Sequence, residues 1–167
     1  MTILLKEVDR ENWFDVTQLE ISKENGKQFI VPIVYSLAES KFENHLIPLA
    51  IYLEDQLIGF TMYGKDPDDG NMWIYVFMID KKHQGHGHGT RALQKLIEHI
   101  KHTHQVNRIL IGHKPENVIA GRLYEKVGFQ DTGKRFHQEI VREYIFKPIR
   151  LQHNKYEGRG WIDEHFG

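Results

Sequence analysis

The chain has 167 residues, 40% of them hydrophobic and 27% charged, with no cysteine and a net charge of −1. That length suits one domain with a real core, and the missing thiols exclude a disulfide framework, an iron–sulfur cluster and a cysteine nucleophile. A near-neutral balance without aromatic–basic interleaving gives nucleic acid no footing.

No apolar run approaches the ~20 residues of a membrane span. The opening MTILLKEVDRE lacks the apolar stretch of a signal peptide, so a cytoplasmic protein is expected. The charge is unevenly spread. Residues 1–80 carry six Lys/Arg against fourteen Asp/Glu, and residues 81–167 carry sixteen against nine. Such a split suggests two electrostatic tasks, or two halves that neutralise each other across the fold.

In chain order, Ile3–Val8 reads as a strand, and Arg10–Ile21 as an amphipathic helix with Trp13, Val16 and Leu19 on its inner side. Val34–Phe42 suits a second helix after Pro32. Ile47–Leu53 and Leu57–Tyr63 are β-rich runs joined by a tight polar turn. After the polar loop 65–71, Met72–Ile79 is the most continuous β-forming run. Thr90–His104 repeats Leu93, Leu96, Ile97 and Ile100 at helical spacing. Val106–Ile111 is a strand. Asn117–Val127 is a helix that Asn117 can cap and Gly128 can end. A β region runs from Phe129 to about Pro148. This order predicts an α/β sandwich on a mixed sheet, one domain over 1–149. Residues 150–167 form an extension without periodicity, either loosely ordered or docked through Tyr156, Trp161 and Phe166.

The segment Gln84-Gly85-His86-Gly87-His88-Gly89 lies between strand and helix. Glycines there allow close backbone approach, and a helix start offers unpaired N–H groups to a pyrophosphate. Lys81, Lys82 and Arg91 add positive charge. A Walker loop is excluded because this segment ends Gly89-Thr90-Arg91 rather than Gly-Lys-Ser/Thr. A dinucleotide fold is excluded because the glycine spacing is G-x-G-x-G and several strands precede it. His83, His86, His88, His99, His102 and His104 suggest a metal cluster. Without neighbouring carboxylates or thiolates, however, solvated histidines are the expectation and no metal is called for.

Gln84-x-x-Gly87-x-Gly89 resembles the pyrophosphate-loop motif of the GNAT superfamily of N-acetyltransferases. Trp73–Ile79 is similar to that family's fourth strand, and Asn117-x-x-Ala120-x-x-x-Tyr124 followed by Gly128-Phe129 is similar to its second half-site. The resemblance implies a mostly antiparallel central sheet with helices on both faces and a fourth and fifth strand that splay apart. It implies acetyl-CoA as co-substrate, no metal, and often a homodimer. By resemblance, the cofactor-binding residues are Phe77, Met78, Ile79, Gln84, Gly85, His86, Gly87, His88, Gly89, Thr90, Asn117, Ala120, Tyr124 and Lys126. Leu57–Gly64, Ile79-Asp80 and the glycine loop further resemble bacterial spermine/spermidine acetyltransferases, although Trp73–Phe77 lacks the charged pair expected there.

Direct attack by an amine in a ternary complex needs a proton for the leaving thiolate. Tyr124 stands at the family's general-acid position, and its spacing from Ala120 also fits a core aromatic. Asn117 can bond the pantetheine arm or simply cap its helix. Glu39, Glu43, His113, Glu116, Tyr75 or a water chain can serve as base. The acidic N-terminal half, with Glu20, Glu24, Glu39, Glu43 and the loop Asp66-Pro67-Asp68-Asp69, suits a cationic acceptor. The expected activity is therefore transfer of acetyl to a primary amine of a polyamine, with Glu39, Glu43 and Tyr75 as substrate-binding residues. The alternatives are another amine (aminoglycoside, amino acid or protein N-terminus) or a CoA-binding module without turnover.

Overall fold

The computed structural model describes residues 1–23 and 28–148. Glu24 and the 150–167 extension therefore lie outside the described residues. The elements are β1 (Ile3–Glu7), α1 (Trp13–Thr17), α2 (Ile33–Phe42), β2 (Ile47–Leu53), β3 (Gln56–Lys65), β4 (Met72–Ile79), α3 (His88–His104), β5 (Arg108–His113), α4 (Val118–Val127), β6 (Gln130–Phe136) and β7 (Glu139–Ile145). Seven strands form one sheet in the order β1-β2-β3-β4-β5-β7-β6. Every pairing is antiparallel except that of β4 with β5.

Helices cover both faces of the sheet. Leu93, Leu96, Ile97 and Ile100 of α3 and Tyr124 of α4 pack with Ile51, Ile74 and Ile111 on one face. Val16 and Ile33, from α1 and α2, pack with Phe60, Met62 and Met78 on the other. Central β3 is buried along nearly its whole length, as expected of a strand covered on both sides.

Two helices differ from expectation. α1 ends at Thr17 instead of running to Ile21, and Trp13 is half exposed. The cause lies 60 residues away: the buried Asp80 carboxylate accepts from the Glu20 N–H (3.4 Å), and Glu20 C=O accepts from the Lys81 N–H (3.0 Å). A buried carboxylate without donors is costly, so the chain leaves the helix to reach it. α3 begins at His88, two residues early, and β5 begins at Arg108, where pairing with Ile145 starts. Gln105, in the left-handed conformation, closes α3 and shifts that strand two residues along.

The decisive irregularity is in β4. Met62 pairs with Val76 but Tyr63 pairs with Ile74, so Tyr75 is an extra, bulged residue. Side chains on a strand alternate, and one extra residue inverts the alternation beyond it. Ile74 packs on the α3–α4 face, Val76 on the α1–α2 face, and Phe77 returns to the α3–α4 face. At the same point β4 parts from β5. The parallel pairing covers only Met72, Ile74 and the residue between them, against Ile109–Ile111.

Candidate active site

The splay opens a cleft through the middle of the sheet, with a cavity on each side. The first measures about 840 Å³ and is lined by Phe77, Met78 and Ile79 of β4 and by the start of α3. Gly87 begins that helix at φ +78° with no side-chain cap, so its first-turn N–H groups have no side-chain partner. Gly85, at φ +82°, precedes it. A Cβ built on either glycine meets nothing within 4 Å, because both face open space. Lys81 also lines this cavity. Backbone donors, a helix dipole and a lysine together fit a pyrophosphate, and the unpaired edge of β4 fits an amide-bearing arm laid along it.

Gln84 has a different task from ligand contact alone. Its Nε2 donates to Ile79 C=O at 2.9 Å and ties the loop to the strand end. Asp80 assists by capping the turn, its Oδ1 accepting from the Lys82 N–H at 3.0 Å. Gly89, Thr90, Asn117, Ala120 and Tyr124 complete the wall. Asn117 does cap α4: its Oδ1 accepts from the Ala120 N–H at 3.3 Å. His86, His88 and Lys126 do not line the cavity. His88 is buried beneath the loop, where its Nδ1 accepts from Arg91 at 2.7 Å. Burial, then Arg91, holds its pKa below the ordinary imidazole value. Lys126 is exposed on the far side of α4. His99 and His104 both turn inward onto the Tyr63 hydroxyl, at 3.2 and 3.0 Å.

The second cavity, about 700 Å³, lies on the other side of the splay between the loop 66–71 and the hairpin β6–β7. Phe29, Ile30, Phe77, Asn117, Ala120 and Tyr124 line both cavities, so the two adjoin along a wall that includes Tyr124. Tyr124 is 6% exposed, and burial pushes its pKa well above the usual phenol value. Its hydroxyl therefore stays protonated at neutral pH.

Tyr75 points into the second cavity and donates to Asp66 Oδ2 at 2.7 Å, which holds the Asp66 carboxyl below the usual carboxylate range. Trp73 Nε1 donates to Asp69 Oδ2 at 2.9 Å. Glu39 and Glu43 line neither cavity; Glu39 lies close enough to act electrostatically on Tyr75. Glu20 is turned away into a 3.5 Å ion pair with Lys81. Glu116 is exposed and lines neither cavity.

His113 lines the second cavity, but both its ring nitrogens are engaged. Arg142 Nε, which can only donate, reaches Nε2 at 2.9 Å, and Lys114 C=O, which can only accept, faces Nδ1 at 2.9 Å. These partners fix one neutral tautomer with the proton on Nδ1. Burial, the largest cause, together with Arg142, keeps its pKa below the ordinary imidazole value. The lone pair a base would use is therefore held by a guanidinium. The ring instead braces α4, standing edge-on to Tyr124 at 5.8 Å.

Glu139 and Glu143 of β7, which the sequence reading did not single out, also line this cavity. The hairpin turn His137-Gln138 has both residues at positive φ, as a two-residue type I′ turn requires. It lacks the Asn-Gly signal that would have marked it in the sequence. Among the described residues no group of three or more His, Asp or Glu is arranged to share a metal ion, and no helix is long and apolar enough to cross a membrane.

Comparison with known proteins agrees with this geometry. Residues 11–129 match the model of the acetyltransferase (GNAT) family. A probable spermine N(1)-acetyltransferase of Bacillus subtilis subsp. natto is 33% identical over 140 residues, covering 80% of this chain and 91% of the relative. The spermine/spermidine N(1)-acetyltransferase of Bacillus subtilis strain 168 is 32% identical over the same shares. Among solved structures, the aminoglycoside acetyltransferase AAC(6')-Ib, with an aminoglycoside and acetyl-CoA, has a TM-score of 0.73 at 16% identity, over 93% of this chain and 99% of that one. The spermidine N-acetyltransferase of Vibrio cholerae, with CoA and spermine, has a TM-score of 0.63 at 15% identity, over 84% and 92%. The glycine-started helix, the splayed strand and the buried tyrosine between two cavities thus sit in a chain that belongs to the acetyltransferase (GNAT) family.

Proposed function

We propose that this GNAT acetyltransferase moves acetyl from acetyl-CoA to a primary amine of a small polycation of the spermine/spermidine type. The observation that carries the proposal is the meeting of the two cavities at Tyr124: a glycine and helix-start cradle on one side, a carboxylate-bearing cavity on the other. The relatives named for spermine and spermidine support the choice of acceptor.

In this reading acetyl-CoA supplies the activated acyl group. Gly85, Gly87, Gly89 and Thr90 hold its pyrophosphate, while the free edge of Phe77, Met78 and Ile79 aligns its arm. Asn117 and Ala120 flank that arm. Tyr124 delivers a proton to the sulfur as it leaves; its burial keeps that proton in place until then. The acceptor enters from the opposite cavity, where Tyr75 and Asp66 form one wall. Glu39 supplies longer-range negative potential beside Tyr75, and Glu43, just past the end of α2, adds to it. Since His113 has no free lone pair, a water chain takes the amine's proton. A cytoplasmic homodimer completes the reading.

The test is release of free thiol from acetyl-CoA with spermine, spermidine, an aminoglycoside, lysine and a short peptide. Saturable turnover with spermine or spermidine is expected. Turnover with another amine alone overturns the polyamine assignment and leaves the family chemistry in place. CoA binding without turnover of any amine points to a non-catalytic module.

A further inference from the structure

The second cavity contains an acidic side chain that the fold clears space for and then leaves without a partner. Glu139 is the first residue of β7, placed by the tight His137-Gln138 turn and paired across it with Phe136. Lys114 pins that turn, its Nζ donating to His137 C=O at 2.9 Å. The Glu139 carboxylate lies over Gly112 of β5, and a Cβ at position 112 would stand 2.5 Å from its Oε2. A side chain there would push the flexible end of the carboxylate aside.

Among the described residues no hydrogen bond or ion pair reaches that carboxylate. The other charges of the wall are mostly engaged: Arg108 with Glu143 at 3.2 Å, Arg135 with Asp131 at 3.0 Å, and Asp66 with Tyr75. Lys134 makes no ion pair among the described residues, but it is exposed on edge strand β6 and screened by water. Glu139 is half-buried and lies within electrostatic reach of both Tyr124 and His113. An unpaired, partly desolvated anion facing a cavity attracts a cation more strongly than the same group in bulk water.

We propose that Glu139 is the specificity-determining residue of the acceptor cavity, its carboxylate forming an ion pair with the ammonium group next to the nitrogen that reacts. This rests on the amine-acceptor reading above. The reacting nitrogen is neutral when it attacks and gains little from a carboxylate; a second, protonated nitrogen on the same acceptor gains fully. Glu139 therefore selects amines with two or more charges over monoamines.

The experiment compares wild type with Glu139→Gln, Glu139→Asp and Gly112→Ala, using spermine, spermidine and propylamine, with melting temperature and acetyl-CoA KM recorded for each. Glu139→Gln should raise KM for spermine and spermidine by about tenfold or more, with kcat within about threefold. Propylamine kcat/KM and acetyl-CoA KM should hold. Glu139→Asp should recover part of the loss. Gly112→Ala should cause a smaller rise of the same kind, by displacing the flexible end of Glu139 rather than the backbone.

Unchanged polyamine KM overturns the proposal, and so does an equal loss for monoamine and polyamine. A wild type that ignores polyamines but acetylates another dication overturns the polyamine reading alone. The same comparison, between that dication and its monoamine analogue, then decides on Glu139.

Discussion

The two cavities that meet at Tyr124 are built on different principles. The cavity on the proposed cofactor side takes its anion-holding groups from backbone: the uncapped start of α3 and the glycines around it. The acceptor-side cavity is lined largely by side chains, among them Trp73, Tyr75, Glu139 and Glu143. A backbone site is defined by conformation and tolerates drift in its neighbours. A side-chain site changes with each substitution. One fold can therefore keep its acyl donor while its acceptor changes.

The sharpest test of this contrast is Tyr124, one of the residues both cavities share. Tyr124→Phe should lower kcat well over tenfold with either amine, leaving acetyl-CoA KM nearly unchanged. Steady-state kinetics against both substrates checks it, and unchanged turnover removes Tyr124 from the chemistry.

A second break is structural and falls on the acceptor side. A Cβ at Gly121 would stand 2.9 Å from His113 Cε1, and that ring cannot yield easily because Arg142 and Lys114 hold it. Gly121→Ala should destabilise the fold by about 1–3 kcal/mol, as overpacking does. Thermal unfolding would show this as a drop of several degrees.

On the cofactor side, Gly87→Ala meets no atom but must hold φ +78°, which costs an L-residue about 1–2 kcal/mol. Acetyl-CoA KM should rise several-fold while amine KM stays put; a reversed pattern would undo the division between the cavities.

The smallest effect expected is one of pH. His99 and His113 are held below the ordinary imidazole pKa of 6.5, in each case chiefly by burial. Both stay neutral in the folded chain while their unfolded counterparts take up protons below that value. Unfolding therefore binds protons, and stability falls as pH drops through 6.5 toward the folded-state values. Melting temperatures at pH 7.5 and 5.5 check the sign, and a higher value at the lower pH refutes it.

The same contrast explains what could be read in the sequence. The start of α3 and the ends of α4 were legible because their parts are local and ordered: Gln84 and Gly87 precede α3, Asn117 caps α4, and Gly128 ends it at φ +122°. The strand limits of β2 and β4 were legible for the same reason. The second cavity was legible only in part: the Asp66 loop, Tyr75 and His113 stand out in the sequence, Glu139 and Glu143 do not. Asp66, His113 and Glu139 come from three separate segments, and only pairing across the sheet brings them together. The end of α1 depends on Asp80, far along the chain. His137-Gln138 makes a glycine-type turn without glycine, so nothing local announced where Glu139 would point. Glu39 and Glu43 had the right charge but stand outside both cavity walls.

The bulge at Tyr75 also bears on how this chain can change over time. Because β4 carries one residue more than the β3 segment it pairs with, the placement of Phe77 and Ile79 on the α3–α4 face is a matter of odd and even count. Substitutions cannot alter that parity. A single insertion in β3 opposite Tyr75 can: it restores one-to-one pairing and would turn Val76 and Met78 toward the α3–α4 face while hiding Phe77, whereas deletion of Tyr75 itself would leave them where they are. Gene changes that add a residue to β3 at this point should therefore be purged far more strictly than additions to the loop 65–71, although that loop also lines the second cavity.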